Sequence, residues 1–317
     1  MRHIAFAAAF LGASSFLSAA DPALLNLIMP DAQVVAGVNI AKAKTSPFGQ
    51  FVLRSLPANP DFDKFVKASG FDPRSELDEV VMASSGGHQH GLVIVRGTFN
   101  AAKISTLAAA DGKHTVTDYN GAQLITSSEP NAHEAMAVLD ATAPTLVLVG
   151  DLVAVRAAID RRNVATPLNS ALAAKIAAYS ATDAWTVSVV PLSSLGGKAE
   201  NSGNPFNGVL QGDLLKKVQE TSGGVTFTSP VLVTGEAVAD SDQDATALRD
   251  VVKLLASMVQ TSGNPAEASV ATLAKSLDVT TEGKVLKLSI SIPEAQLEGL
   301  FAAASQRKER SKPGERI

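Results

Sequence analysis

The sequence predicts an α+β protein of two related halves, each an antiparallel sheet with helices packed on one face. Three observations carry that expectation. Near the C-terminus, Leu286, Leu288, Ile290 and Ile292 alternate with Lys287, Ser289 and Ser291, the pattern of a strand with one buried and one wet face. Asn120-Gly121 joins two β-type runs, and Glu282-Gly283 joins two more, so neighbouring strands turn back on each other as hairpins. Asp31-Ala32-Gln33-Val34-Val35 has a counterpart in Asp183-Ala184-Trp185-Thr186-Val187, and Val116-Thr117 one in Val279-Thr280, with the same order of elements between them.

The elements follow in order. Residues 1–20 combine a basic start at Arg2, an apolar run from Ile4 to Phe16 and the small-residue exit Ser18-Ala19-Ala20, the three parts of an export signal cleaved near Ala20. Asp21 then caps a helix that Pro22 opens and Pro30 closes. A strand is expected over Gln33–Ile40, a helix from Ser46-Pro47, and another from Asn59-Pro60 to Gly70. Glu79–Ala83 and Leu92–Val95 form a strand pair around the loop Ser84–Gly91, and Asn100 caps a helix carrying Ile104 and Leu107. The Asn120-Gly121 hairpin, strands Ala135–Leu139 and Leu146–Val149, and a helix capped by Asp151 complete the first half, residues 21–165.

The second half, residues 166–305, opens with a strand at Ala184–Val190, followed by a Gly/Ser/Asn-rich loop over Gly196–Asn207 and a short helix over Leu214–Val218. Strands Val225–Thr228 and Val231–Val238 flank Ser229-Pro230. Ser241-Asp242-Gln243-Asp244 then starts the clearest amphipathic helix, with Leu248, Val251, Val252, Leu255 and Val259 at helical spacing. A helix over Glu267–Leu277 and the last hairpin follow, and residues 306–317 read as a charged, disordered tail.

The export start, the strand after Pro30-Asp31-Ala32, the Ser46-Pro47-Phe48-Gly49 helix start and Gly70-Phe71-Asp72-Pro73 before paired strands resemble uncharacterised exported bacterial proteins with tandem α+β halves. The resemblance implies fold and a periplasmic or extracellular location. It supplies no catalytic residues.

Composition narrows the partners. The chain contains no cysteine, which excludes both disulfides and a lipidated cysteine after the signal. No run reaches the ~20 apolar residues needed to span a bilayer, so no transmembrane segment is expected in the mature chain. Residues 1–20 hold one of the 27 basic side chains and none of the 31 acidic ones, which leaves the remainder at −5 and argues against nucleic acid. Aromatic residues are only 5% of the chain, too few for stacking platforms.

His88 and His90 are the sharpest candidate ligands for a metal, since alternate residues of an extended segment point to one side; His114, His133 or Glu134 would supply a third ligand. The glycines around that pair favour an ordinary polar loop. There is no Gly-x-Ser-x-Gly elbow and no phosphate-binding glycine motif. The acidic group Asp72, Glu76, Asp78 and Glu79 reads as capping and local ion pairing. These absences favour a non-enzymatic binding protein of the cell envelope without a cofactor. Its partner would be a protein or an apolar small molecule, held on a concave sheet or at the seam between halves. A metal-dependent hydrolase using His88 and His90 is the alternative, and a structural envelope protein without a ligand is another.

Overall fold

The computed structural model describes residues 21–55, 63, 66–67, 70–86, 91–98, 100–130, 132–140, 144–162, 164, 166–195, 215–261 and 268–301. The first expected helix forms as α1 (Pro22–Leu25), its N-terminus held by the Asp21 carboxylate, which accepts the Ala23 N–H at 2.9 Å. Strand β1 (Val34–Asn39) ends one residue early: Asn39 accepts the Lys42 N–H at 2.8 Å and so caps α2 (Ile40–Thr45). Helix α3 (Pro47–Ser55) begins at Ser46-Pro47 as expected. The helix expected over 59–70 falls almost wholly outside the described residues, as do the signal, the loop over 196–207 and the tail.

Helix α4 (Pro73–Glu76) leads into β2 (Leu77–Ser84) and β3 (Gly91–Gly97). Then come α5 (Ala101–Ala110), β4 (His114–Tyr119), β5 (Ala122–Ser127), β6 (Glu134–Val138), β7 (Thr145–Asp151) and α6 (Leu152–Arg161). Asn120 and Gly121 adopt φ of 50° and 79°, the left-handed pair that a two-residue type I′ hairpin requires. A helix absent from the sequence reading, α7 (Ser170–Tyr179), is capped by Asn169 through the Ala171 and Leu172 N–H groups.

Strand β8 (Ala184–Ser188), α8 (Leu192–Leu195), a 3-10 turn at Leu215–Lys217, β9 (Val218–Thr226) and β10 (Val231–Ala239) follow. Helix α9 (Asp242–Thr261) starts where Ser241 Oγ accepts the Asp244 N–H at 3.1 Å, and α10 (Ala268–Lys275) packs beside it. Strands β11 (Leu277–Glu282) and β12 (Val285–Ile292) and helix α11 (294–301) complete the described chain.

The twelve strands of the described residues form one antiparallel sheet in the order β11-β12-β10-β9-β8-β1-β2-β3-β7-β6-β5-β4. The separate sheets expected of the two halves are joined, because β1 pairs with β2 on one side and with β8 on the other. The expectation of helices on a single face needs correcting. One face of the first seven strands carries Val35, Val81, Leu92, Ile94, Leu124, Ala137 and Leu148, buried beneath α1, α6 and α7 through Leu24, Val155, Leu172 and Ile176. Each of those large side chains contributes roughly 1.5–3 kcal/mol through burial. On the opposite face, Ile104 of α5 packs over Met136, Val138 and Val147. That same opposite face carries Leu286 and Val279 under Ala245 and Leu248 of α9. Strand β3 is apolar on both sides: Leu92 and Ile94 lie in the core beneath α1, α6 and α7, and Val95 packs with Ile104 and Val147 on the other face.

Candidate ligand-binding cleft

The register places one transverse row of side chains on the face that α5 covers. Val116 pairs with Ile125, Ile125 with Met136, Met136 with Val149, Val149 with Val93, Val93 with Met82, and Met82 with Ala36. Neighbouring strands lie ~4.8 Å apart, so these residues form a continuous apolar strip across six strand spacings. Helix α5 bridges only one end of it. Between helix and strip opens a cleft of about 740 Å³, roofed by Ile104 and Ala108 and floored by Ile125, Met136 and Val149. From Val149, 36% exposed at the cleft floor, the strip runs out into the open toward Met82, 47% exposed.

The rim is polar and is built by the chain leaving α5. Asp111 follows the helix, and its Oδ1 accepts the Lys113 N–H at 2.8 Å and the His114 N–H at 3.1 Å. Its Oδ2 lies 2.6 Å from His114 Nδ1. The Lys113 backbone N–H and then the His114 ring hold the Asp111 carboxyl below the ordinary aspartate value. Ser127, Glu129, His133 and Glu134 border the same opening. The His133 carbonyl is fixed by the Leu152 N–H at 2.7 Å, and Glu134 stands opposite Asp151 in the ladder. An apolar floor with charged groups at its edge suits a molecule with an apolar body and a polar end.

The candidate ligands named from sequence divide here. His88 and His90 lie outside the described residues. His114, His133 and Glu134, named as possible third ligands, all line the cleft. Among the described residues no three His, Asp or Glu side chains group to hold a metal ion. The acidic group behaves as expected of caps and local pairs: Asp72 accepts the Arg74 N–H at 3.0 Å and grips the Arg74 guanidinium, and Glu76 accepts the Asp72 N–H. Glu79 separates from them, buried against Arg96.

On the α1 and α7 side, the described residues of the seam pack together. β1 and β8 pair from Val34 opposite Ser188 to Val38 opposite Ala184, and Val35, Val187 and Trp185 are buried there. Of the two places expected for an apolar ligand, the sheet face carries a cleft among the described residues. Ile125, Met136 and Val149 were missed from sequence because their adjacency depends on the order of strands. Alternation within each strand gives their side and nothing more.

No helix among the described residues is long and apolar enough to cross a membrane. No protein-family model and no curated protein matches the chain. Among solved structures it is similar to TP0453, a Treponema protein. Crystal form I is 11% identical over 88% of this chain and 96% of that one, with a TM-score of 0.46. Form III is 10% identical over 88% and 97%, at 0.49, and form IV 11% identical over 87% and 95%, at 0.49.

Proposed function

We propose that this chain is an exported, non-enzymatic binding protein of the cell envelope that holds an amphiphilic small molecule in the cleft beneath α5. One observation carries the reading: an apolar floor of Ile125, Met136 and Val149, about 740 Å³ of space above it, and a rim of Asp111, Lys113, His114 and Glu134. The volume falls inside the roughly 300–1,000 Å³ of small-molecule sites. The ligand's apolar part lies along the strip toward Met82, and its polar end faces the rim. Location outside the cytoplasm rests on the signal in residues 1–20.

The proposal of two related halves has support in the element order. β1, β2, β3, α5 and the β4–β5 hairpin parallel β8, β9, β10, α9 and the β11–β12 hairpin, with β6, β7, α6 and α7 additional to the first set. Both α5 and α9 pack on the same face of the sheet.

Organic extraction and mass spectrometry of the protein purified from an exporting host tests the function. An amphiphile near one equivalent in the wild type, and its loss in Ala108→Phe, are expected. A wild type carrying none, in a host that supplies lipids and other amphiphiles, argues for the structural envelope protein instead.

A further inference from the structure

Three ionisable groups far apart in sequence meet at the start of the described chain. Arg96 of β3 directs Nη1 to the Asp21 carboxylate and Nη2 to Oε2 of Glu79 on β2, the latter at 2.5 Å. The Glu79 side chain is only 6% exposed. Burial pushes its carboxyl above the ordinary glutamate value and the nearby Asp21 carboxylate adds to the effect, while the Arg96 guanidinium and a hydrogen bond from the Asp21 backbone N–H oppose it. Asp21 itself is firmly placed. Its carboxylate caps α1, its carbonyl accepts the Leu24 and Leu25 N–H groups at 2.9 and 3.2 Å, and Leu24 is fully buried in the core.

The nitrogen that faces Glu79 belongs to the peptide bond after Ala20, where the sequence reading ends the export signal. We propose that the fold reads this cleavage: the α-ammonium group released at Asp21 pairs with buried Glu79 and completes a four-charge cluster with Arg96 and the Asp21 carboxylate. The proposal rests on the export reading above. An endopeptidase of the export machinery adds water across the Ala20–Asp21 amide; the new carboxylate departs with the leader, and the new amine takes up a proton near neutral pH. Before cleavage one guanidinium faces two carboxylates. After it, two cations face two anions, and Glu79 no longer carries an uncompensated share of negative charge in a buried site. The unprocessed chain is therefore the less stable form, and the folded state is reinforced only once the leader is gone.

The pH dependence has a definite sign. A free α-amino group titrates near ~7.7, and a carboxylate partner raises its folded value. The reinforcement is fully present below the unfolded value and is lost as pH rises through the folded one. Among the described residues lining the small cavity at Asp21, the further ionisable group is Asp140, which is paired with Arg162 at 2.6 Å.

The test compares the chain beginning at Asp21 with a free amine, the same chain N-acetylated, and the chain retaining Ala20. Acetylation keeps the N–H and removes only the charge. At pH 6.5 the free-amine chain is expected to melt about 2–4 °C above both others, the shift of a ~1 kcal/mol interaction in a protein of this size. The gap closes above pH 10. In Glu79→Gln, a near-isosteric change, free and acetylated chains melt together. Equal melting of the two wild-type chains, or an unchanged gap in Glu79→Gln, overturns the pairing. The intact mass of exported protein reads the cleavage separately: a start at Asp21 supports the proposal, and a start elsewhere overturns its processing step whatever the melting data give.

Discussion

Trp185 lies against Gly37 across the β1–β8 ladder: the two are in register, and a β-carbon at residue 37 would come 2.5 Å from the indole. The seam of the sheet therefore depends on the absence of a side chain there. Gly37→Ala is expected to cost about 1–3 kcal/mol as overpacking. Urea unfolding followed by the emission of the protein's one tryptophan checks it, and wild-type stability with unchanged emission would contradict the contact.

Asp183 ties three elements together. Its Oδ2 accepts the Phe227 N–H at 2.6 Å beyond β9, its Oδ1 lies 3.6 Å from Lys42 Nζ on α2, and its carbonyl accepts the Asn39 N–H at 2.7 Å. Asp183→Ala leaves the Phe227 N–H without that acceptor and is expected to cost about 1–3 kcal/mol, with Asp183→Asn milder because an acceptor oxygen remains. Chemical denaturation of the two variants provides the comparison. A larger loss in Asp183→Asn than in Asp183→Ala would contradict the hydrogen-bonding role.

The Asp111 carboxyl at the cleft rim is expected to titrate below the ~3.9 of an unperturbed aspartate. With its folded value depressed, the stability it contributes is present above the unfolded value and lost as pH falls through the folded one. Carboxyl-carbon NMR titration reads it directly. His114→Ala should raise the midpoint only partly, because the Lys113 backbone N–H is the larger cause of the depression. A midpoint at the unperturbed value in the wild type would contradict the geometry.

Much of the local structure was legible in the sequence, because its signals act within a few residues. Asp21-Pro22, Asn100, Asp151 and Ser241 cap helices where expected, and Asn120-Gly121 makes its hairpin. Strand β9 was half hidden, since Gln219 through Gly224 are polar or glycine. They nevertheless pair in a central strand, where Gly223 stands opposite Gly235. The Ala-rich helix α7 lacks a broad amphipathic stripe and so carries little periodic signal, although Leu172 and Ile176 anchor it in the core. The cleft was least legible of all. Its floor comes from β5, β6 and β7, whose order and cover by α5 are set by long-range pairing that no local pattern encodes.

The central claim, that the cleft beneath α5 holds an amphiphile, is tested most directly by titrating the purified chain with 1-anilinonaphthalene-8-sulfonate, an amphiphilic fluorophore. Ala108→Phe fills the cleft roof, and Leu254→Phe, on the exposed surface of α9, serves as control. The account predicts saturable binding near one equivalent for wild type and for Leu254→Phe, and at least a tenfold weaker signal for Ala108→Phe at unchanged Tm. Equal binding by Ala108→Phe and wild type would contradict it.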